Sequence, residues 1–210
     1  RPRIHSVTEA RRPEYGASLG QAFRRHMNPG DQVGDYRIVD SVGAGGSGRV
    51  YRVRHEITGR VEAMKVLLPD QSEEDELCDR FLREVRIHAR LVHPNIASLV
   101  TAFWANRRLM MVMEYVEGES LDRLLSRVRL PLAQALHYAS QALAGLSYAH
   151  AHGVTHRDVK PENLLIGAKE VLKVTDFGLA RTAKDIRLTK TGALMGSLYY
   201  VSPEQLRGFH

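Results

Sequence analysis

The sequence predicts an α+β protein with two lobes, the first an antiparallel sheet with one helix and the second mainly helical. Of its 210 residues, 43% are hydrophobic and 26% are charged, which is enough to bury a core. Strand-like patterns dominate the first half and helical spacing dominates the second. The change falls near Glu114–Gly118. We therefore expect a basic extension over 1–30, a first lobe over 31–116 and a partial second lobe over 117–210.

Strands joined by short turns open the first lobe. Three strand patterns with glycine turns between them predict an antiparallel meander over Tyr36–Val42, Val50–Arg54 and Val61–Leu68. Apolar residues at spacings of three and four predict one helix over Arg80–Leu91. Two further strands are predicted over Ile96–Phe103 and Leu109–Val116.

A long helix opens the second lobe. It is predicted to start at Pro131 and to end at Gly153. Its apolar stripe is expected to form core and comprises Leu132, Ala135, Leu136, Ala139, Leu143, Leu146 and Ala149. Short strands are predicted over Asn163–Ile166 and Val171–Val174, followed by a loop over 177–200.

Composition excludes several classes of protein. The single cysteine, Cys78, rules out an internal disulfide framework and a multi-cysteine zinc site. No stretch reaches the roughly 20 apolar residues of a membrane helix. Of the net charge of +6, +4 lies in residues 1–27, where six arginines face two glutamates. A basic arm on a nearly neutral domain is usually solvated, although docking on an acidic partner or an anionic lipid surface stays open.

A glycine-rich segment, Gly43–Val50, has the pattern GxGxxGxV. A strand pattern rather than a helix follows it, which disfavours a dinucleotide-binding fold, and the Gly-Lys-Ser/Thr of a Walker loop is absent. The remaining alternatives are a plain hairpin turn and a hairpin that closes over nucleotide phosphates. Lys65 lies seventeen residues beyond Gly48. It is either a solvated lysine at the edge of a strand or a ligand of the α- and β-phosphates. Glu84 on the next helix is the carboxylate expected to hold it.

The strongest signal is His156–Asn163, which reads HRDVKPEN, followed by Asp176-Phe177-Gly178. Asp158 is positioned to accept the proton of a substrate hydroxyl, and Lys160 to steady a γ-phosphate. Asn163 and Asp176 carry hard oxygen ligands that suit Mg²⁺.

In this order, the motifs resemble those of the protein kinase family over about residues 33–208. The lysine two residues after Asp158 resembles serine/threonine kinases. The segments GALMGSLYYVSPE and VMEYVEG most resemble the eukaryotic-type serine/threonine kinases of bacteria. The resemblance implies a protein-kinase-like fold and ATP-dependent phosphorylation of serine and threonine hydroxyls on proteins, with Mg²⁺.

The resemblance also implies individual roles. Met113 would be the gatekeeper, Glu114 and Val116 would offer backbone groups to adenine, and Ser202-Pro203-Glu204 would stand in the APE position. The implied nucleotide-binding set is Val42, Gly43, Ala44, Gly45, Gly46, Ser47, Gly48, Val50, Ala63, Lys65, Glu114, Val116 and Leu165.

Regulation by phosphate is expected at the loop after Asp176. Arg157 is a cation beside Asp158, and a phosphate is its natural partner, although it could instead satisfy only backbone carbonyls. Thr189 and Thr191 match the positions where resembling kinases autophosphorylate in trans. Ser197 is expected to hydrogen-bond Asp158 and Lys160.

Several expectations concern departures from the family pattern. Kinase domains of this family continue beyond the position of His210, so we expect an incomplete second lobe that could self-associate. A non-catalytic pseudokinase or nucleotide-binding scaffold is the alternative function. His88 occupies a usually apolar position, which could weaken the active placement of its helix. A nucleic-acid module and a metal cluster of His150, His152 and His156 are weak alternatives. The expected location is the cytoplasm, either free or as part of a membrane-anchored parent.

Overall fold

The computed structural model describes residues 26–45, 48–66, 82, 85–105, 108–177, 199–200 and 202–206. The chain forms two compact units. The first unit comprises Arg1–Cys78 and Val100–Met113, and the second comprises Asp79–Leu99 and Glu114–His210. Residues 79–99 thus group with the second unit, and the domain boundaries predicted above stay predictions.

A six-stranded sheet forms the first unit, in the order β1-β2-β3-β4-β6-β5. Its strands are β1 Gln32–Val33, β2 Tyr36–Gly45, β3 Gly48–His55, β4 Val61–Val66, β5 Leu99–Ala105 and β6 Arg108–Glu114. Strands β1 to β4 pair antiparallel, as a meander requires. Ile96, predicted to begin the fifth strand, instead makes a lone parallel bridge to Val174.

The core of the first unit lies on one face of this sheet. Along β3 only Gly48, Tyr51 and Val53 are buried, whereas β4 is buried from Glu62 to Val66. A strand buried on consecutive residues is covered on both faces.

The second unit contains a small sheet and the long helix. Its antiparallel strands are β7 Glu119–Ser120, β8 Leu164–Ile166 and β9 Leu172–Val174, with helices α1 Leu121–Leu125, α2 Leu132–Ala151 and α3 Pro203–Leu206. Short 3₁₀ turns lie at Pro161–Asn163 and Ala168–Glu170, and residues 85–88 are helical. The Ser120 hydroxyl caps α1 by accepting from the Arg123 amide at 3.3 Å. Neither β7 nor α1 was predicted from the sequence.

The buried face of α2 corrects the sequence prediction in part, since Leu146 and Ala149 of the predicted stripe do pack in the core. Leu132, Leu136 and Leu143 of the predicted core stripe are 75%, 60% and 65% exposed. The residues of α2 that are buried are Tyr138, Ala142, Gly145 and Ala149. A Cβ on Gly145 would lie 2.8 Å from the Asn95 carbonyl oxygen. Close approach of backbone to the helix therefore selected the face with small residues over the face with the largest aliphatic side chains.

Residues of the motif region take part in the core of the second unit. Phe177, Leu172, Val174 and Ile96 are completely buried, together with parts of α2. No helix in the described part of the chain is long and apolar enough to span a membrane.

Candidate active site

Asp158 lies in a network of polar contacts within the second unit. Lys160 Nζ lies 2.9 Å from Asp158 Oδ2, and the two side chains are only 15% and 21% exposed. The Asn163 amide Nδ2 donates to the same oxygen at 3.2 Å and to the Asp158 carbonyl at 2.8 Å. Two donors on one carboxylate oxygen hold the Asp158 side chain in one orientation.

The chain between these residues folds tightly enough to bring them together. Pro161 begins a 3₁₀ turn, for which its fixed φ is suited. The backbone N–H of Asn163 donates to the Lys160 carbonyl at 3.0 Å. The Thr175 amide then donates to the Asn163 carbonyl at 3.0 Å. Asn163, which is buried, is thereby fixed from both its backbone and its side chain.

His156 connects the two motifs through its imidazole ring. Nε2 donates to the Thr175 carbonyl at 2.8 Å, and Nδ1 accepts from the Asp158 amide at 3.2 Å. Together these bonds require the neutral ring with its proton on Nε2. Burial lowers the pKa of His156, which agrees with that neutral form. Sequence reasoning assigned this histidine no such role, although its place as first residue of the motif was a signal.

Two residues of the predicted site adopt left-handed backbone, which non-glycine residues rarely do. The φ angles are 67° at Arg157 and 59° at Asp176. Phe177, next to Asp176, is fully buried with its ring centroid 4.7 Å from that of His156. Packing of Phe177 therefore fixes the strained residue beside it.

His88 is accommodated in this core despite its polarity. It is completely buried, its Nε2 lies 2.5 Å from the Ala97 carbonyl oxygen, and its ring centroid lies 6.0 Å from that of Phe177. A hydrogen bond to a backbone carbonyl offsets the cost of burying the ring nitrogen. Whether His88 weakens the placement of its helix stays a prediction.

Asn163 and Asp176 have the chemistry that a Mg²⁺ ion requires. Because Nδ2 of Asn163 is used by Asp158, its Oδ1 is the atom suited to a cation. Among the described residues there is no group of three or more His, Cys, Asp or Glu side chains that could hold a metal ion. Of the three histidines considered for such a cluster, His150 and His152 are exposed and His156 is buried.

In the first unit, the strand register aligns the predicted phosphate-binding residues. Gly43 lies opposite Val50, and Val50 lies opposite Lys65. Ala63 is two residues before Lys65 and shares its face of β4. Lys65 is 2% exposed and Val42 is 54% exposed. Of the predicted residues, Gly46, Ser47, Glu84, Thr189, Thr191 and Ser197 lie outside the described residues.

The predicted adenine-binding segment is anchored in the second unit. The Glu114 amide donates to the Ser98 carbonyl at 2.8 Å, and its carboxylate pairs with Lys173 at 2.9 Å. The Glu114 carbonyl is therefore the backbone group suited to a ligand. A Cβ on Gly118 would lie 1.9 Å from the Ile166 carbonyl oxygen, so only glycine fits there. Sequence reasoning missed both Lys173 and Gly118, because their partners are distant along the chain.

Comparisons with known proteins agree with this arrangement. The model of the protein kinase domain family matches residues 36–210. A probable serine/threonine-protein kinase PknB of Lactococcus lactis is 38% identical over 176 residues, covering 82% of this chain and 28% of the relative. PrkC of Bacillus subtilis is 37% identical over 176 residues, covering 83% and 27%. PknA of Mycobacterium tuberculosis is 40% identical over 181 residues, covering 83% and 42%.

Solved structures give the same result for the fold. A crystal structure of the Mycobacterium tuberculosis PknI kinase domain superposes with a TM-score of 0.66 at 31% identity, covering 75% of this chain and 63% of that chain. The predicted α+β, protein-kinase-like fold is thus confirmed. The chain spans between about a quarter and two fifths of the length of the curated relatives named above. The chain belongs to the protein kinase family, among the eukaryotic-type serine/threonine kinases of bacteria.

Proposed function

We propose that this chain is the catalytic domain of an enzyme that transfers the γ-phosphoryl group of ATP to serine and threonine hydroxyls of proteins. The observation that carries the proposal is the fixed carboxylate of Asp158, oriented through Oδ2 by Lys160 and Asn163. A general base acts only when it is held within reach of the proton it takes. The shared burial of Asp158 and Lys160 provides such a fixed geometry.

In the proposed reaction, the substrate hydroxyl oxygen forms a bond to the γ-phosphorus while the bond to the bridging oxygen of ADP breaks. The hydroxyl proton passes to Asp158 and then to solvent, and ADP leaves with the bridging oxygen. Lys160, beside Asp158, steadies the transferred group. Such catalysis consists mainly of positioning and charge neutralisation.

Protein kinases generally act with ATP and Mg²⁺, and we extend this to named residues here. Asn163 and Asp176 would hold the metal, which would neutralise charge on the phosphates. Lys65, held by Glu84, orients the α- and β-phosphates, and the backbone of Gly43–Gly48 covers them. Adenine contacts the side chains of Val42, Val50, Ala63 and Leu165 and the backbone of Glu114 and Val116.

We further propose that phosphate on the loop after Asp176 activates the domain. Arg157 is exposed and precedes Asp158 directly, so a phosphate bound by it would act on the catalytic residue. Thr189 and Thr191 are the proposed sites, whereas Ser197 bonds Asp158 and Lys160. Mass spectrometry after incubation with ATP should find both phosphothreonines, and the double alanine variant should lose most activity. Phosphate found only outside 179–204, with that variant fully active, would contradict this scheme.

The pseudokinase alternative is not favoured. Every residue type that phosphoryl transfer needs is present in the sequence, and the relatives are named as serine/threonine kinases. A phosphotransfer assay on serine, threonine and tyrosine versions of one peptide separates the possibilities. We expect Mg²⁺-dependent label on the serine and threonine peptides and none on the tyrosine peptide. Tight ATP binding without label on any peptide would instead favour the scaffold.

A further inference from the structure

A groove of about 540 Å³ in the first unit contains a buried carboxylate that the proposed reaction does not use. This carboxylate belongs to Glu62 on β4 and is only 6% exposed. Side chains alternate between the two faces of a strand, so Glu62 projects from the face opposite Ala63 and Lys65. The groove is therefore separate from the residues proposed to bind ATP.

One oxygen of Glu62 has its hydrogen-bonding capacity unused. Burial, followed by the charge of Glu62, raises the pKa of the Tyr36 phenol well above its usual value. Tyr36 therefore stays a donor. Oε2 of Glu62 has no hydrogen-bond partner among the described residues. A buried carboxylate oxygen without a donor is costly, so a ligand that supplies an N–H group there would be stabilised.

Aromatic rings form a rigid wall of the same groove. The rings of Tyr36 and Phe103 stack with centroids 5.9 Å apart and planes 10° apart. The His55 ring meets Tyr36 edge-on at 5.0 Å, and its Nδ1 accepts from the Ile57 amide at 3.2 Å. Gly34 also lines the groove and packs against this wall, because a Cβ there would lie 3.0 Å from the Phe103 ring. The wall is thus set before any ligand binds.

A cation suits the groove because Oε2 of the buried Glu62 has no donor among the described residues. Two carboxylates, Glu62 and Asp35, line it, and the basic groups that line it are Arg60 and His55. A planar cation can stack on aromatic faces and present two parallel N–H groups to one carboxylate. Guanidinium meets both conditions, whereas a lysine ammonium has neither the flat faces nor the fork of donors.

We propose that this groove binds a guanidinium group, with Glu62 as its carboxylate partner and the stacked rings of Tyr36 and Phe103 as its wall. The arginine comes either from another polypeptide or from the six arginines of residues 1–27 of this chain. The site does not depend on the proposed kinase activity, since none of its residues takes part in it.

The test is calorimetric titration of the full chain with the peptide acetyl-Gly-Arg-Gly-amide. The matched peptide carries citrulline, which has the same shape as arginine but no charge. We expect the arginine peptide to bind at least tenfold more tightly than the citrulline peptide. The substitution Glu62→Gln should lower the affinity at least tenfold and Asp35→Asn severalfold. The substitution Glu56→Gln, at an exposed glutamate paired with Arg37, should leave it unchanged.

Equal binding of both peptides, or unchanged affinity in a folded Glu62→Gln chain, would overturn the proposal. If Glu62→Gln does not fold, the affinity of the Asp35→Asn chain for the arginine peptide is the test, because Asp35 is exposed. A chain with the six arginines of residues 1–27 changed to glutamine distinguishes the two sources. Tighter binding of the peptide by that chain identifies an arginine of residues 1–27 as the occupant, and equal affinity identifies another polypeptide. Absence of binding to both chains refutes the site.

Discussion

The catalytic segment, residues 154–177, and the glycine-rich hairpin of β2 and β3 are held in shape in different ways. The catalytic segment depends on side chains that bond to backbone, as His156 and Asn163 do. The hairpin depends on its backbone ladder, in which Gly45 lies opposite Gly48. Its outer residues Val42 and Gly43 are exposed.

This difference bears on how mutations should act. In the catalytic segment the groups proposed for chemistry also hold the fold, so activity and stability are expected to change together. In the hairpin the ladder is independent of most side chains, so ligand binding can change while stability does not, except at Gly48, whose φ of 149° favours glycine. Four predictions test this contrast, in order of decreasing effect.

Asp158→Asn should have the largest effect, because it removes the proposed base and the charge that Lys160 pairs with. We expect kcat to fall by about 10²–10⁴-fold in a peptide phosphotransfer assay. Asp122→Asn, at an exposed position in the first turn of α1, is the matched control and should keep full activity. Retention of wild-type kcat by Asp158→Asn would contradict the role of this residue.

Lys65→Met should lower kcat/KM for ATP by about 10²–10³-fold, the cost of removing one charged group that stabilises a transition state. Lys65 lies on β4, directly opposite Val50 of the hairpin. The control is Lys169→Met at an exposed lysine of the second unit. An unchanged phosphotransfer rate in Lys65→Met would remove Lys65 from the mechanism.

The stability of the catalytic segment should depend on pH through His156. Burial lowers the pKa of His156 in the folded chain below its ordinary value of 6.5. Just below pH 6.5 the unfolded chain therefore binds a proton that the folded chain does not. The contribution of His156 to the free energy of unfolding is fully present above the pKa of this residue in the unfolded chain, and it is lost as the pH falls below that value. The loss is at most about 1.4 kcal/mol per pH unit.

Urea denaturation between pH 7.5 and pH 5 should therefore show a flatter profile for His156→Gln than for the unchanged chain. His150→Gln, at an exposed histidine of α2, should keep the original slope. Parallel profiles for His156→Gln and the unchanged chain would show that His156 contributes nothing to the pH dependence.

Glycine substitutions in the hairpin should differ from each other, and Gly43→Ala should have the smallest effect of the changes considered. Nothing lies within 4 Å of a Cβ on Gly43, so Gly43→Ala should change the free energy of unfolding by less than about 0.5 kcal/mol. Gly48 has a φ of 149°, and Gly48→Ala should cost about 1–3 kcal/mol. Thermal denaturation of the two variants measures this, and equal melting temperatures would contradict the assigned strain.

The elements found from the sequence were those that depend on neighbours along the chain. The order of strands and helices, the 20-residue helix α2 and the spacing of Asp158 and Asn163 in one motif are all local properties. Five residues that include a proline turn suffice to bring Asn163 back to Asp158, so this contact depends on local geometry, although the motif predicted only a Mg²⁺ ligand at Asn163. The family followed from the same local motifs.

Only the tertiary structure decided contacts between residues far apart in the chain. His156 bonds a carbonyl nineteen residues away, and Lys173 bonds a carboxylate fifty-nine residues away. The buried face of α2 was also decided there. Hydrophobicity alone favoured the leucines, but the backbone at Asn95 could approach only where Gly145 has no side chain. Spacing along the sequence records which residues share a face, whereas the shape of the opposing surface determines which face is buried.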